Sequence, residues 1–146
     1  MRSGARVRCG GGTSHRYGLD DAILIKDNHI AVSGGVASAI CAARAYAGHL
    51  VKVEVEVDGL EQMREALAAR PDAILLDNMA PDMLREAVEI NRKRHGLSVE
   101  AYGEISARIA LEASGNVNLQ TIKAIAETGV DYISTSKLTL AAPTLD

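Results

Sequence analysis

Val51-Lys-Val-Glu-Val-Glu-Val57, followed by Asp58, alternates apolar and charged residues without a break. Successive side chains of an extended strand point to opposite faces. The run therefore predicts a strand with Val51, Val53, Val55 and Val57 on one face and Lys52, Glu54, Glu56 and Asp58 on the other. In a barrel, the valine face packs on outer helices and the charged face points inward. In an open sheet, the charged face meets solvent. The pattern alone permits both, but carboxylates turned inward are costly to desolvate unless they are paired or hold a metal.

The same device recurs on either side of this run. Upstream, Asp21-Ala-Ile-Leu-Ile-Lys-Asp-Asn-His29 is a short apolar run that switches abruptly to charge, which predicts a buried strand over 22–26. Val36, Ala39, Ile40, Ala43 and Ala47 then recur at helical spacing, for a helix near 35–47 capped by Gly48. Downstream, Leu60, Met63, Ala66 and Leu67 mark a helix near 59–69, closed by Pro71. Ala73–Leu76 is a third strand. Pro81 and Asp82 suit the first turn of a helix whose buried stripe is Met83, Leu84, Ala87 and Val88. Arg92–Arg108 has little periodicity and reads as an exposed loop or a helix extension. Ile109–Leu111 is a fourth strand, and a helix from Asn118 to Gly129 leads to a fifth, Val130–Ile133. Leu138–Asp146 can begin one last short helix. Five strand-then-helix units in succession predict a parallel α/β fold.

Bulk composition narrows the function. The chain has 146 residues, enough for one ordinary domain, and its hydrophobic fraction of 47% and charged fraction of 24% are those of a soluble globular protein. A net charge of -3 argues against a nucleic-acid partner held by bulk electrostatics. No apolar run approaches the ~20 residues that span a bilayer, so no membrane role is expected. Cys9 and Cys41 have neither metal spacing nor a disulfide framework, and a reducing cytoplasm is the expected compartment. The glycine-rich stretch Gly10-Gly-Gly-Thr-Ser-His-Arg16 lies so early that the chain reads as the later part of something longer.

Chemistry is expected at the C-terminal ends of the strands. Asp77 and Asn78 end the third strand as Asp27 and Asn28 end the first. A strand-end carboxylate can simply cap the next helix. Glu56 and Asp77 at one rim would also suit Mg²⁺, a hard cation that takes carboxylate, phosphate and water oxygens. Glu112-Ala-Ser-Gly-Asn116 and Ser134-Thr-Ser-Lys137 are small turns before helices. They can be ordinary turns or phosphate cradles, and the last two such loops of a (β/α)₈ barrel commonly share a phosphate. His15, Arg16 and Lys26 form a cationic group suited to an anionic substrate, although each taken alone reads equally as a surface residue. His29 is at most a support.

These residues, in this order, resemble the quinolinate phosphoribosyltransferases, also called nicotinate-nucleotide pyrophosphorylases (carboxylating). The resemblance rests on Arg8-Cys-Gly-Gly-Gly-Thr-Ser-His-Arg16, Leu24-Ile-Lys-Asp-Asn-His29, Val53-Glu-Val-Glu-Val-Asp58, Ile74-Leu-Leu-Asp-Asn78, Leu111-Glu-Ala-Ser-Gly115 and Thr128-Gly-Val-Asp-Tyr-Ile-Ser134. It implies transfer of phosphoribose from phosphoribosyl pyrophosphate to the ring nitrogen of quinolinate. Pyrophosphate and CO₂ leave, and nicotinate mononucleotide goes to NAD synthesis. It implies Mg²⁺ as cofactor and, in the full-length family, a homodimer. Lys26, Glu56 and Asp77 would be catalytic, with Glu56 and Asp77 facing the metal, in part through bound pyrophosphate. His15, Arg16 and Lys26 would bind the quinolinate carboxylates. Ser114, Gly115, Ser134, Thr135 and Ser136 would hold the 5′-phosphate.

The resemblance also sets expectations by what this stretch lacks. The family has an N-terminal domain and enters its barrel through a Thr-Arg-Lys motif, neither of which occurs here. Residues 1–146 are then the C-terminal part of the α/β-barrel phosphoribosyltransferase domain, a partial (β/α) barrel of about five βα units without the N-terminal domain and first barrel strands. Such a piece alone is expected to turn over weakly or not at all. The segment from His95 to Arg108 is longer than the family's usual connection, a glycine near Ser136 is replaced, and Leu140 stands where many relatives carry His. Two other readings remain open: a non-catalytic phosphate- or nucleotide-binding half-barrel serving as an assembly module, and a related barrel acting on a different heterocycle.

Overall fold

Lys52–Val57 forms strand β2, with Val53, Val55 and Val57 buried and Lys52, Glu54 and Glu56 on the opposite face. The structure is a computed structural model that describes residues 7–15, 21–102 and 108–136. Beside β2 lie β1 (Ala22–Ile25) and β3 (Ala73–Asp77), and the sheet continues through β4 (Ala110–Ser114) to β5 (Tyr132–Ile133). Every neighbouring pair is parallel, and the strands follow sequence order. Helices α1 (Asp27–Ser33) and α2 (Val36–Tyr46) join β1 to β2. Helices α3 (Leu60–Ala69), α4 (Pro81–Tyr102) and α5 (Ile122–Ala126) make the later crossovers.

Crossovers between parallel strands nearly all share one hand. With strands in sequence order, one hand puts every helix on the same side of the sheet. Burial agrees: Ile25, Val53, Val55, Val57, Ile74, Leu76, Leu111 and Ala113 share one core with Val36, Ile40, Met63, Leu67, Leu84 and Val88 from the helices. The opposite face carries Leu24, Glu54, Glu56, Leu75, Asp77, Glu112 and Ser114. Registration places these in cross-strand rows. Glu56 sits beside Leu75 and Leu75 beside Glu112, while Asp77 sits beside Ser114 one step nearer the C-terminal rim. The expected parallel α/β fold is thus observed as an open sheet with a helix face and a second, chemically mixed face.

Several boundaries differ from expectation for local reasons. β1 stops at Ile25, because Lys26 is the N-cap of α1, a helix the sequence pattern did not announce. It has no buried residue and so no apolar stripe. It is set by Asp27 in its first turn and by Gly34 in the left-handed region (φ 78°) at its end. α2 ends at Tyr46 on an extended Ala47 rather than on Gly48, and its N-terminus is capped from the next unit, where the Ala37 N–H donates to Glu65 Oε1 at 2.9 Å. The segment after Arg92 is a helix extension, since α4 continues to Tyr102. Asn118 does cap the following turn, its Oδ1 accepting the N–H groups of Gln120 and Thr121 at 2.9 and 3.0 Å, but regular helix begins only at Ile122. The expected helix over 138–146, Leu140 included, lies outside the described residues.

At the N-terminal edge of the sheet an aspartate precedes β3 and another precedes β5. Asp72 Oδ2 accepts the Val53 N–H, and Asp131 Oδ2 accepts the Leu111 N–H, both at 2.9 Å. Each carboxylate also pairs with cations, Asp72 with Arg44 and Lys52 at 3.5 Å and Asp131 with Arg108. On α4, Arg94 has its pKa lowered by partial burial first and by the charge of Arg70 second.

Gly96 lies within α4, exposed, with nothing within 4 Å of where a Cβ would stand. Glycine costs a helix interior backbone entropy. Gly96→Ala is therefore expected to raise stability by about 0.5–1 kcal/mol. Urea unfolding should show a higher midpoint with an unchanged slope.

Candidate active site

The chemically mixed face supplies its groups at two depths. At the rim, Lys26 follows Ile25, which is registered with Val55, so its side chain reaches the next residue along β2. Lys26 Nζ lies 3.6 Å from Glu56 Oε2, and both side chains are partly exposed. Such a pair holds the ammonium near the carboxylate with little net stability. The backbone of Lys26 is fixed by the first turn of α1, where its N–H donates to His29 Nδ1 at 2.9 Å. That contact gives His29 a supporting place behind Lys26.

Beside this pair is a depression lined by Asp27, Ile30, Glu56, Val57, Asp58, Gln62 and Asp77. Its carboxylates are hard oxygen donors facing open solvent, the chemistry that suits Mg²⁺ accompanied by phosphate oxygens. Gln62 Oε1 accepts the Asp58 N–H at 3.1 Å and fixes that wall. Asp77 is held by its neighbour: Asn78 Nδ2 donates to Asp77 Oδ2 at 2.8 Å.

Asn78 also ties β3 to the loop after β4. Its N–H donates to the Ser114 carbonyl at 2.9 Å, and its Oδ1 accepts from Asn116 Nδ2 at 3.2 Å. Gly115 sits against it at φ 80°, and a Cβ there would stand 2.6 Å from Asn78 Cγ and 2.9 Å from Asn78 N. Only glycine fits this crossing. Ser114, registered with Asp77, and half-buried Ser134, whose N–H donates to the Ala113 carbonyl at 3.0 Å, occupy neighbouring strand ends. Thr135 and Ser136 continue from them, exposed.

One step deeper on β2, Glu54 Oε2 lies 3.0 Å from His15 Nε2, which is also 3.4 Å from Oε1 of Glu112 in the row of Glu56. The imidazole arrives on a turn in which Gly11, at φ 80°, donates its N–H to the Arg8 carbonyl at 3.0 Å. The two glutamates are the most buried carboxylates of this face, at 9% and 8% exposure. Of the expected cationic trio, the two described members pair with different carboxylates. Lys26 is against Glu56, His15 is against Glu54 and Glu112, and Arg16 lies outside the described residues. Sequence reasoning assigned no role to Glu54 or Glu112. The signal available was that Glu54 shares the charged face with Glu56, whereas Glu112 joins them only through the pairing of β3, which sets it in the row of Glu56.

Residues 3–146 match the family described as quinolinate phosphoribosyl transferase, C-terminal domain. The chain is 44% identical over 140 residues to a probable nicotinate-nucleotide pyrophosphorylase (carboxylating) of Bacillus subtilis, covering 96% of this chain and 44% of that protein. It is 36% identical over 137 residues to the human nicotinate-nucleotide pyrophosphorylase (carboxylating), covering 94% of this chain and 42% of that one. Among solved structures, NadC from Streptococcus pyogenes superposes with a TM-score of 0.80 at 41% identity, over 99% of this chain and 46% of that one. The nicotinate-nucleotide pyrophosphorylase of Francisella tularensis gives 0.77 at 43% identity, over 91% and 42%. The chain spans less than half the length of the relatives it matches. A family match along nearly its whole length, and the same fold in solved relatives, place this chain in the quinolinate phosphoribosyl transferase family, over the C-terminal domain.

Proposed function

We propose that this chain carries part of the site that moves phosphoribose from phosphoribosyl pyrophosphate to the ring nitrogen of quinolinate, releasing pyrophosphate and CO₂ and giving nicotinate mononucleotide. The observation that supports it best is the common rim of Lys26, Glu56, Asp77, Ser114 and Ser134. Cationic, acidic and hydroxyl groups stand side by side there, as a reaction between two anions requires. In this reading Lys26, with His15 and Arg16, clamps the carboxylates of quinolinate. Ser114, Gly115 and the 134–136 loop receive the 5′-phosphate. Glu56 and Asp77 face the anomeric carbon, where positive charge grows as the pyrophosphate departs. Mg²⁺, when bound beside Glu56 and Asp77, neutralises the leaving pyrophosphate. No covalent protein intermediate is needed. A homodimer, as expected for the full-length family, and a cytoplasmic location belong to the same proposal; among the described residues no helix is long and apolar enough to cross a membrane.

The test is calorimetric titration of the 146-residue chain with quinolinate and with phosphoribosyl pyrophosphate plus Mg²⁺, beside an assay for nicotinate mononucleotide. Lys26→Met should weaken quinolinate binding by about tenfold or more, the value of one lost charged contact. Binding that ignores this substitution, or that prefers a pyridine with a single carboxylate, would sink the assignment.

A further inference from the structure

Two buried carboxylates of the reaction face have no part in the proposed transfer, and both meet the same ring nitrogen. Glu54 Oε2 and Glu112 Oε1 lie 3.0 and 3.4 Å from His15 Nε2. Glu54 shares its row with Ala73 and Ala110, and Glu112 shares its row with Leu75 and Glu56. We propose that Glu54 and Glu112 are positioning residues for substrate binding. They hold the His15 ring by a hydrogen on Nε2, so that Nδ1 is the nitrogen offered to a carboxylate of quinolinate. His15 keeps its place in the carboxylate clamp, the reading on which this rests, and the glutamates aim it.

Three observations carry this. His15 lies outside any helix or strand, so its ring is oriented by what it touches rather than by a regular backbone. The charged groups that face it are Glu54 from β2 and Glu112 from β4, while Glu56, in the row of Glu112, is taken up by Lys26. Finally, Glu112 Oε1 is buried, and no described residue gives it a hydrogen bond. A buried carboxylate oxygen without a donor is costly, and two such carboxylates beside a site for a dianion would only repel it. A lone pair on Nε2 would add to that repulsion. A hydrogen on Nε2, directed between the two oxygens, relieves it.

What the glutamates do to one nitrogen decides what the other can do. In a neutral imidazole one nitrogen donates and the other accepts. With the hydrogen fixed on Nε2, Nδ1 carries a lone pair and repels a carboxylate until a second hydrogen sits there. Quinolinate is therefore received by a ring with hydrogen on both nitrogens, whose positive charge is shared between the substrate and the two glutamates. The side chain of His15 is 33% exposed, which leaves the ring open to a ligand from the solvent side.

The ring is read by nitrogen NMR of the full chain, free and with quinolinate. Quinolinate affinity is measured by calorimetry in Glu54→Gln, Glu112→Gln, His15→Ala and the His15→Ala/Glu112→Gln double variant. In the free chain above neutral pH the hydrogen should sit on Nε2, and saturating quinolinate should place hydrogen on both nitrogens. Glu54→Gln and Glu112→Gln should each weaken quinolinate binding by about tenfold, the scale of one charge-assisted contact, although each removes negative charge near an anion. In the His15→Ala background, Glu112→Gln should cost nothing further, because residues that act through one another are not additive. Phosphoribosyl pyrophosphate binding should stay within about twofold in both glutamine variants. Three results would overturn the positioning role and leave the clamp reading in place. They are hydrogen on Nδ1 alone in the free chain, quinolinate binding unchanged or strengthened by the glutamine variants, and equal costs of Glu112→Gln with and without His15. Quinolinate binding indifferent to His15→Ala would remove the clamp reading and the positioning role together. The NMR measurement uses the unsubstituted chain and decides the matter even if a variant fails to fold.

Discussion

Gly115→Val is expected to unfold or severely destabilise this protein. The position has φ 80°, and a Cβ would stand 2.6 Å from Asn78 Cγ and 2.9 Å from the Asn78 backbone nitrogen. A β-branched residue at positive φ costs about 1–3 kcal/mol, and forcing atoms into a closed crossing costs about as much again. The sum, about 2–6 kcal/mol, is a large share of the ~5–15 kcal/mol that holds an ordinary domain together. Asn78 cannot yield cheaply, because it bonds Asp77, Ser114 and Asn116 at once. The control is Gly48→Ala, where nothing lies within 4 Å and no positive φ is needed. Urea denaturation should show a large fall in midpoint for Gly115→Val and almost none for Gly48→Ala. Equal effects would mean that the Asn78–Gly115 crossing is not what holds β3 and β4 at their ends.

The second large effect is expected at the rim. Asp77→Asn keeps the shape and the partner amide of Asn78 but removes a charge from the depression it shares with Asp27, Glu56 and Asp58. Under the proposed function, that change should cost roughly 100-fold or more in the rate of nicotinate mononucleotide formation, the scale of losing one preorganised electrostatic group. If the chain alone has too little activity to follow, the same loss should appear as phosphoribosyl pyrophosphate binding that no longer responds to Mg²⁺. Glu56→Gln should act likewise, and it should also free Lys26 from its 3.6 Å partner. A Mg²⁺ response undiminished in both variants would remove these carboxylates from the metal–pyrophosphate role. The folded state should not move, because both residues are at the margin of the sheet and outside the shared apolar core.

The fold was legible because its apolar patterns are strong. Val51–Val57 alternates so cleanly that its two faces could be assigned, and the structure buries Val53, Val55 and Val57 and keeps Glu56 at the rim. α1 was not legible, since none of its seven residues is fully buried and the packing of Ile30 against the core makes no stripe. The rim residues Lys26, Glu56, Asp77, Ser114 and Ser134 were visible as charge or hydroxyl following an apolar run. The group around His15 was not. His15 meets Glu54 and Glu112 across 39 and 97 positions of sequence, and only the register of three strands decides which carboxylates face the same imidazole. Local pattern carries the direction of a side chain, not the strand that will stand opposite it.

Asp72 and Asp131 give the far edge of the sheet a bearing on that pairing. Each accepts the backbone N–H of the strand next door, Val53 in one case and Leu111 in the other. They act as alignment pins. A strand displaced by a single residue would turn Glu54, Glu56 or Glu112 into the helix layer and a valine or leucine into the reaction face. Parallel neighbours joined by long crossovers have no tight turn to forbid such a slip. Two carboxylates at the foot of the sheet thus guard the chemical identity of its other end, without touching anything that reacts.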